Sequence, residues 1–136
     1  MSHVATEALA VVVEREIPFP PEKIWRALTQ PHLIEEWLMK NDFKPVVGHS
    51  FNLRADWGVV DCRVQAVEPN KTLSYTWGAY GLESVVTWTL TPTSTGTHLR
   101  MAQSGFRPDQ QQAYQGAKYG WQQLFANLER VLARID

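Results

Sequence analysis

DQQQAYQGAKYGWQQLFANLERVLARID, residues Asp109 to Asp136, closes the chain and decides its architecture. Tyr114, Ala117, Trp121, Leu124, Phe125, Leu128, Val131, Leu132 and Ile135 fall on a single stripe of a helix. Pro108 precedes the run, and Asp109 is its predicted N-cap. A helix from there to the end spans about 26 residues, or about 39 Å at the usual rise. An apolar stripe of that length needs a broad apolar partner.

The residues upstream supply one. Leu73, Tyr75 and Trp77 alternate with Ser74 and Thr76. Val86, Trp88 and Leu90 alternate with Thr87 and Thr89, and Leu99 and Met101 with Arg100 and Ala102. A period of two marks half-buried strands. Val60, Cys62, Val64 and Ala66 line one side of a further strand between Trp57 and Val67, and Phe51-Asn52-Leu53 reads as a short one. Turns fall at Asn70-Lys71, Gly78 to Gly81 and Thr93 to Gly96. Strands in direct succession predict an antiparallel meander. Ahead of it, Leu9 to Ile17 reads as a strand, with Leu9, Val11, Val13 and Ile17 on one face and Arg15 among them. Pro18, Pro20 and Pro21 end that strand, and Pro21-Glu22 opens a short helix through Ile24, Trp25 and Leu28. Thr29-Gln30-Pro31 breaks it, and His32 to Trp37 forms a second. The prediction is an α+β domain: a curved antiparallel sheet wrapped around a long C-terminal helix, with two short helices after the first strand.

The chain of 136 residues fits one domain, 1–136, with no repeat or linker. Hydrophobic residues make up 44% and charged residues 20%, a globular profile. Thirteen basic against fourteen acidic residues leave a net charge of −1, which argues against non-specific nucleic-acid binding. Met1 to Ala10 lacks a basic segment followed by a long apolar run, and Ala8 to Val13 is too short to span a bilayer. The single cysteine, Cys62, cannot form an internal disulfide. These features lead us to expect a soluble, cytoplasmic protein.

Few motifs carry chemistry. His3, His32, His49 and His98 have no i, i+4 pairing and there is no CxxC, so neither a metal nor a cofactor is expected. No G-x-S-x-G elbow and no Gly-rich phosphate loop occurs. Cys62 sits mid-strand among apolar neighbours and reads as a buried, inert thiol. No catalytic residue is assigned.

The aromatics are the richest feature, with six tryptophans. Tyr75, Trp77 and Trp88 fall on inward strand faces, and Trp121 lies on the helix stripe opposite. Plain core packing explains any one of them. Together they predict an internal space lined by large rings, the usual form of a small-molecule site. Polar residues on inward faces are then candidate anchors. Arg15 needs a ligand anion, an acid such as Glu83, or a route to solvent. Gln103 continues the Leu99 and Met101 face and can offer an amide, and Tyr119 can supply a hydroxyl at the rim. Trp37, Trp57, Tyr80 and Phe106 sit in loops or at element ends, where they form a mouth or interface, or cap the core. The candidate ligand-binding set is Arg15, Trp37, Trp57, Tyr75, Trp77, Trp88, Met101, Gln103, Tyr119 and Trp121.

Several stretches carry a family resemblance. They are Ile17-Pro18-Phe19-Pro20-Pro21-Glu22-Lys23-Ile24-Trp25-Arg26-Ala27-Leu28-Thr29, Glu36-Trp37, Val47-Gly48-His49-Ser50-Phe51 and Val67-Glu68-Pro69 with Leu73-Ser74-Tyr75-Thr76-Trp77. Val86-Thr87-Trp88-Thr89-Leu90, Gly96-Thr97-His98-Leu99, Ser104-Gly105-Phe106 and Gly120-Trp121 continue it. In this order they resemble the activator of heat-shock-protein-90 ATPase homologue-like family of the SRPBCC superfamily, which includes the START domains and the birch pollen allergen fold. The resemblance implies a helix-grip fold with a cavity between sheet and helix. Leu38 and Gln103 depart from it, standing where many members carry an aromatic and a histidine.

Three functions follow as expectations. The first is binding of a small apolar molecule, a lipid included, in that cavity, in a setting the family name implies to be stress-related. The second is an enzyme of the polyketide cyclase or hydratase type, which would need a His, Asp or Glu facing the cavity. The third is a co-chaperone-like interaction module using an exposed patch of Trp37, Trp57 and Phe106, with chaperone contact or a homodimer as its form.

Overall fold

The computed structural model describes residues Leu9–Asp136. Strand β1 (Leu9–Ile17) leads into helices α1 (Pro21–Thr29) and α2 (Pro31–Trp37). Strands β2 (Lys40–Asn41), β3 (Ser50–Ala55), β4 (Gly58–Glu68), β5 (Thr72–Ala79), β6 (Leu82–Thr93) and β7 (Gly96–Phe106) follow, and α3 (Gln111–Arg134) ends the chain. The strands make one antiparallel sheet in the order β1-β7-β6-β5-β4-β3-β2. The first strand thus pairs with the last, and α3 lies across the concave face.

Proline sets the first half. Pro21 and Pro31 each occupy the opening turn of a helix, where a missing N–H leaves no bond unmade. Gln30 is forced extended (ψ 120°) by the proline after it, which separates α1 from α2. The Trp37 indole then donates to the Ala27 carbonyl at 2.8 Å, one of the free carbonyls at the end of α1. Trp37 is therefore fully buried, locking α2 onto α1.

Three details differ from the sequence-based expectation. Helix α3 has Gln110 as its N-cap rather than Asp109. Arg107 to Gln110 forms a turn closed by Gln110 N–H to the Arg107 carbonyl, and the Asp109 carboxylate meets Arg107 Nε at 3.2 Å instead. Strand β2 was not foreseen, because two residues are too few to show a period. Ala66 is only half-buried, since a bulge between Val64 and Ala66 breaks the alternation of β4.

Burial along α3 is uneven. Its buried residues are Trp121, near the midpoint, and Phe125, Leu128, Val131 and Leu132 in the second half. Polar contacts hold that half. Arg134 binds Glu36 on α2, and Arg26 on α1 binds the Asp136 carbonyl. Among the described residues, no comparable side-chain clamp holds the first ten positions. No described helix is long and apolar enough to cross a membrane.

Candidate functional site

Under the second half of α3 the interior is packed solid. Trp88 has no exposed surface, and its ring lies 5.6 Å from Trp37, 5.6 Å from Phe125 and 5.8 Å from Trp121. Its indole donates to the Tyr75 hydroxyl at 3.1 Å, also buried. Met101 pairs with Trp88 across β6 and β7 and is equally covered.

Under the first half of α3 the interior is open. A cleft of ≈ 470 Å³ lies there. Ala113, Gly116, Ala117 and Gly120 form its helix wall. A Cβ built at Gly116 or Gly120 meets nothing within 4 Å. Leu82 and Trp77 face them from the sheet, and Leu38 and Met39 close the side after α2. The Trp77 and Trp121 rings lie 5.5 Å apart at 52°. Trp57, 54% exposed, stands at the mouth. Gln103 lies at the cleft and is 2% exposed. Its Oε1 accepts from Trp121 Nε1 at 2.7 Å and its Nε2 donates to Ser84 Oγ at 3.0 Å. Ser84 in turn donates to the Trp77 carbonyl at 2.9 Å. Among the described residues, no acid, base or thiol lines the cleft.

The residues singled out from sequence therefore divide. Trp57, Trp77, Gln103 and Trp121 come together around the opening. Trp37, Tyr75, Trp88 and Met101 lie in the packed core instead. Arg15 is on the other side of α3. Its guanidinium binds the Gln122 side chain and the Glu14 carbonyl, approaches Glu129 at 3.9 Å and lies over the Phe125 ring. Its acidic neighbour is Glu129, not Glu83, because the side chain leaves the sheet edge towards α3 and stays partly in water. Tyr119 is 71% exposed and lines a separate groove between β1 and α3. The aromatic patch of Trp37, Trp57 and Phe106 is not formed, since Trp37 and Phe106 are buried.

The cleft residues missed from sequence are Leu38, Met39, Ala55, Leu82, Leu124 and the helix wall. A signal was present for the wall. Small residues at 113, 116, 117 and 120 recur at i, i+3, i+4 and i+7, the spacing of one helix face.

Cys62 is buried, and desolvation, with Asp61 and Asp42 adding to it, pushes its thiol up to about 12. It is inert at neutral pH. Among the described residues no group of three or more His, Cys, Asp or Glu side chains converges as metal ligands would. His3 lies outside the described residues, as does most of the leading segment on which the absence of a leader was expected.

A seven-stranded antiparallel sheet around a long C-terminal helix, with paired short helices after the first strand, defines a helix-grip domain, here with a cleft beside its helix. The chain matches the family described as Activator of Hsp90 ATPase homolog 1-like protein over residues 18–133, and it belongs to that family. The crystal structure of MLL2253 from Mesorhizobium loti is 70% identical, with a TM-score of 0.91 over 94% of this chain and 99% of that one. The solution structure of BH1534 from Bacillus halodurans is 27% identical, with a TM-score of 0.83 over 93% of this chain and 99% of that one. DynU16, from the dynemicin biosynthetic locus, is 28% identical with a TM-score of 0.82; 91% of this chain matches 47% of that one. No curated protein matches the chain.

Proposed function

We propose that the chain acts as a single binding domain that holds a small, largely apolar molecule in the cleft beside the first half of α3. One observation carries this reading. The chain places two glycines in the interior of a helix, facing open space. Each costs about 0.5–1 kcal/mol of helix stability relative to alanine. Neither is needed to let another element approach, since an added Cβ touches nothing. Packing thus gives no reason for them, whereas room for an occupant does. The lining is of the apolar kind that small-molecule sites use, and the volume lies within their range of about 300–1,000 Å³. The place of DynU16 in a biosynthetic locus agrees with a small organic molecule as occupant.

An enzyme of the cyclase or hydratase type finds less support. General acid–base work needs a titratable group beside the bound atom, and the described residues of this lining include none. The chaperone-interaction reading loses the patch it required.

The test is a titration of the protein with a panel of apolar aromatic probes, followed by tryptophan fluorescence and by melting temperature. Trp77 and Trp121 lie in the cleft, so binding shifts their emission. A ligand that binds only the folded state raises the melting temperature. Gly120→Leu fills the cleft and is expected to abolish the response without unfolding the protein. A panel without response, or unchanged binding by Gly120→Leu, overturns the reading.

A further inference from the structure

The hydrogen-bond chain at the cleft fixes which atom of Gln103 is left over. An indole N–H donates and never accepts. The amide atom 2.7 Å from Trp121 Nε1 is therefore Oε1, and Nε2 is turned to Ser84. The Ser84 hydroxyl spends its one hydrogen on the Trp77 carbonyl, so it accepts from Gln103. The amide nitrogen carries two hydrogens. One goes to Ser84, and among the described residues the other has no acceptor. Gln103 is almost wholly buried and borders the cleft, so this donor is shielded from bulk water.

We propose that the second Nε2–H of Gln103 is the recognition donor of the cleft, and that its ligand is a flat, uncharged, apolar molecule carrying a hydrogen-bond acceptor such as a ring carbonyl. The inference rests on the ligand-binding reading above and adds the chemistry of the occupant. An acceptor is required because the amide offers the cleft a hydrogen while its oxygen is held against Trp121. Charge is disfavoured because, among the described residues, no Lys, Arg, His, Asp or Glu lines the cleft, and an ion buried there would be desolvated without a partner. Flatness follows from the walls: small residues of α3 on one side, and Trp77 with Leu82 on the sheet facing them. The same network makes Gln103 a specificity-determining residue, since Trp121 and Ser84 hold the donor in one orientation.

Fluorene and 9-fluorenone test this directly. They share a ring skeleton and differ by one carbonyl. Their affinities are compared by displacement of Nile red from the wild-type protein. The carbonyl makes fluorenone less apolar, so burial alone favours fluorene. The expected result is fluorenone binding about tenfold tighter, the worth of one hydrogen bond to a buried donor. Gln103→Leu is expected to reverse that order. The wild-type comparison is decisive by itself, so a Gln103→Leu protein that fails to fold does not rescue or sink it. If both probes bind and fluorene binds as well or better, the inference falls and the ligand-binding reading stands. If neither binds, both fall.

Discussion

The Tyr80 hydroxyl donates to the Trp57 carbonyl at 2.5 Å and ties the turn between β5 and β6 to the turn between β3 and β4. Their rings lie 6.1 Å apart at the mouth of the cleft. The hydroxyl occupies the space a side chain at Gly58 would need: a Cβ there would sit 2.2 Å from it, and Gly58 has φ +151°. Tyr80 is itself held at φ +51°, a left-handed conformation that bulky residues adopt only under external constraint. The clasp therefore holds Tyr80 in a strained conformation and requires glycine at 58, and the turns position Trp57.

Gly58→Ala is expected to lower the unfolding free energy by about 1–3 kcal/mol, measured by urea denaturation. Adding Tyr80→Ala should restore part of that loss, because it removes the oxygen the new methyl strikes but leaves the backbone strain. A Gly58→Ala protein as stable as wild type would show that the clasp is not formed.

The helix glycines predict the opposite sign. Gly116→Ala and Gly120→Ala should each stabilise the protein by about 0.5–1 kcal/mol, since alanine is the better helix former and its methyl meets nothing. Both gains come from backbone propensity rather than from a contact, so the double variant should gain more than either single one. Loss of stability in either variant would mean that the first half of α3 packs more closely than the structure has it.

The legible parts of this fold were those written in a period. The nine apolar positions from Tyr114 to Ile135 gave α3, and the alternation through Leu73, Trp88 and Met101 gave the meander, because both patterns follow from which face is buried. Periodicity reports a face and not a depth, however. Trp88 and Trp77 have the same signature on neighbouring strands, yet Trp88 is sealed by Trp37 and Phe125 while Trp77 borders open space. That difference depends on where α3 stops being packed, a tertiary fact. Arg15 shows the same limit: its position on an inward face was readable, but Gln122 and Glu129 are more than a hundred residues away.

The buried pair of Trp88 and Tyr75 gives a third prediction. Trp88 Nε1 has the Tyr75 hydroxyl as its acceptor, 3.1 Å away in the core. Tyr75→Phe leaves that indole N–H unmatched and should cost about 1–3 kcal/mol in denaturant unfolding. Burial holds the Tyr75 phenol well above its ordinary range, with the Trp88 hydrogen bond opposing the shift. A raised folded value means that the contribution to stability is fully present below the unfolded phenol range of about 10 and is lost as pH rises beyond it. An alkaline absorbance titration of the folded protein should therefore show one phenol ionising above the ordinary range, a phase that Tyr75→Phe removes. A folded protein with no such late phase would refute its burial.

His98 gives the prediction with the most accessible pH range. On the outer face its Nε2 meets a Glu14 oxygen at 2.7 Å and its Nδ1 meets Glu16, so both ring nitrogens face carboxylates from the neighbouring strand β1. Hydrogen bonds to Glu16 and then Glu14 raise its pKa above the ordinary 6.5, since both favour imidazolium. The pairing of β1 with β7 is therefore strengthened by charge below about pH 6.5 and loses that contribution as pH rises through the raised folded value. A Glu16→Gln variant should lower the His98 midpoint, seen by NMR titration of its ring protons, and Glu14→Gln should lower it less. High salt should bring the wild-type value towards the variants, because the cluster is exposed and its fields are screened. An unshifted midpoint in the wild-type protein would show that the histidine does not bridge the two glutamates in solution.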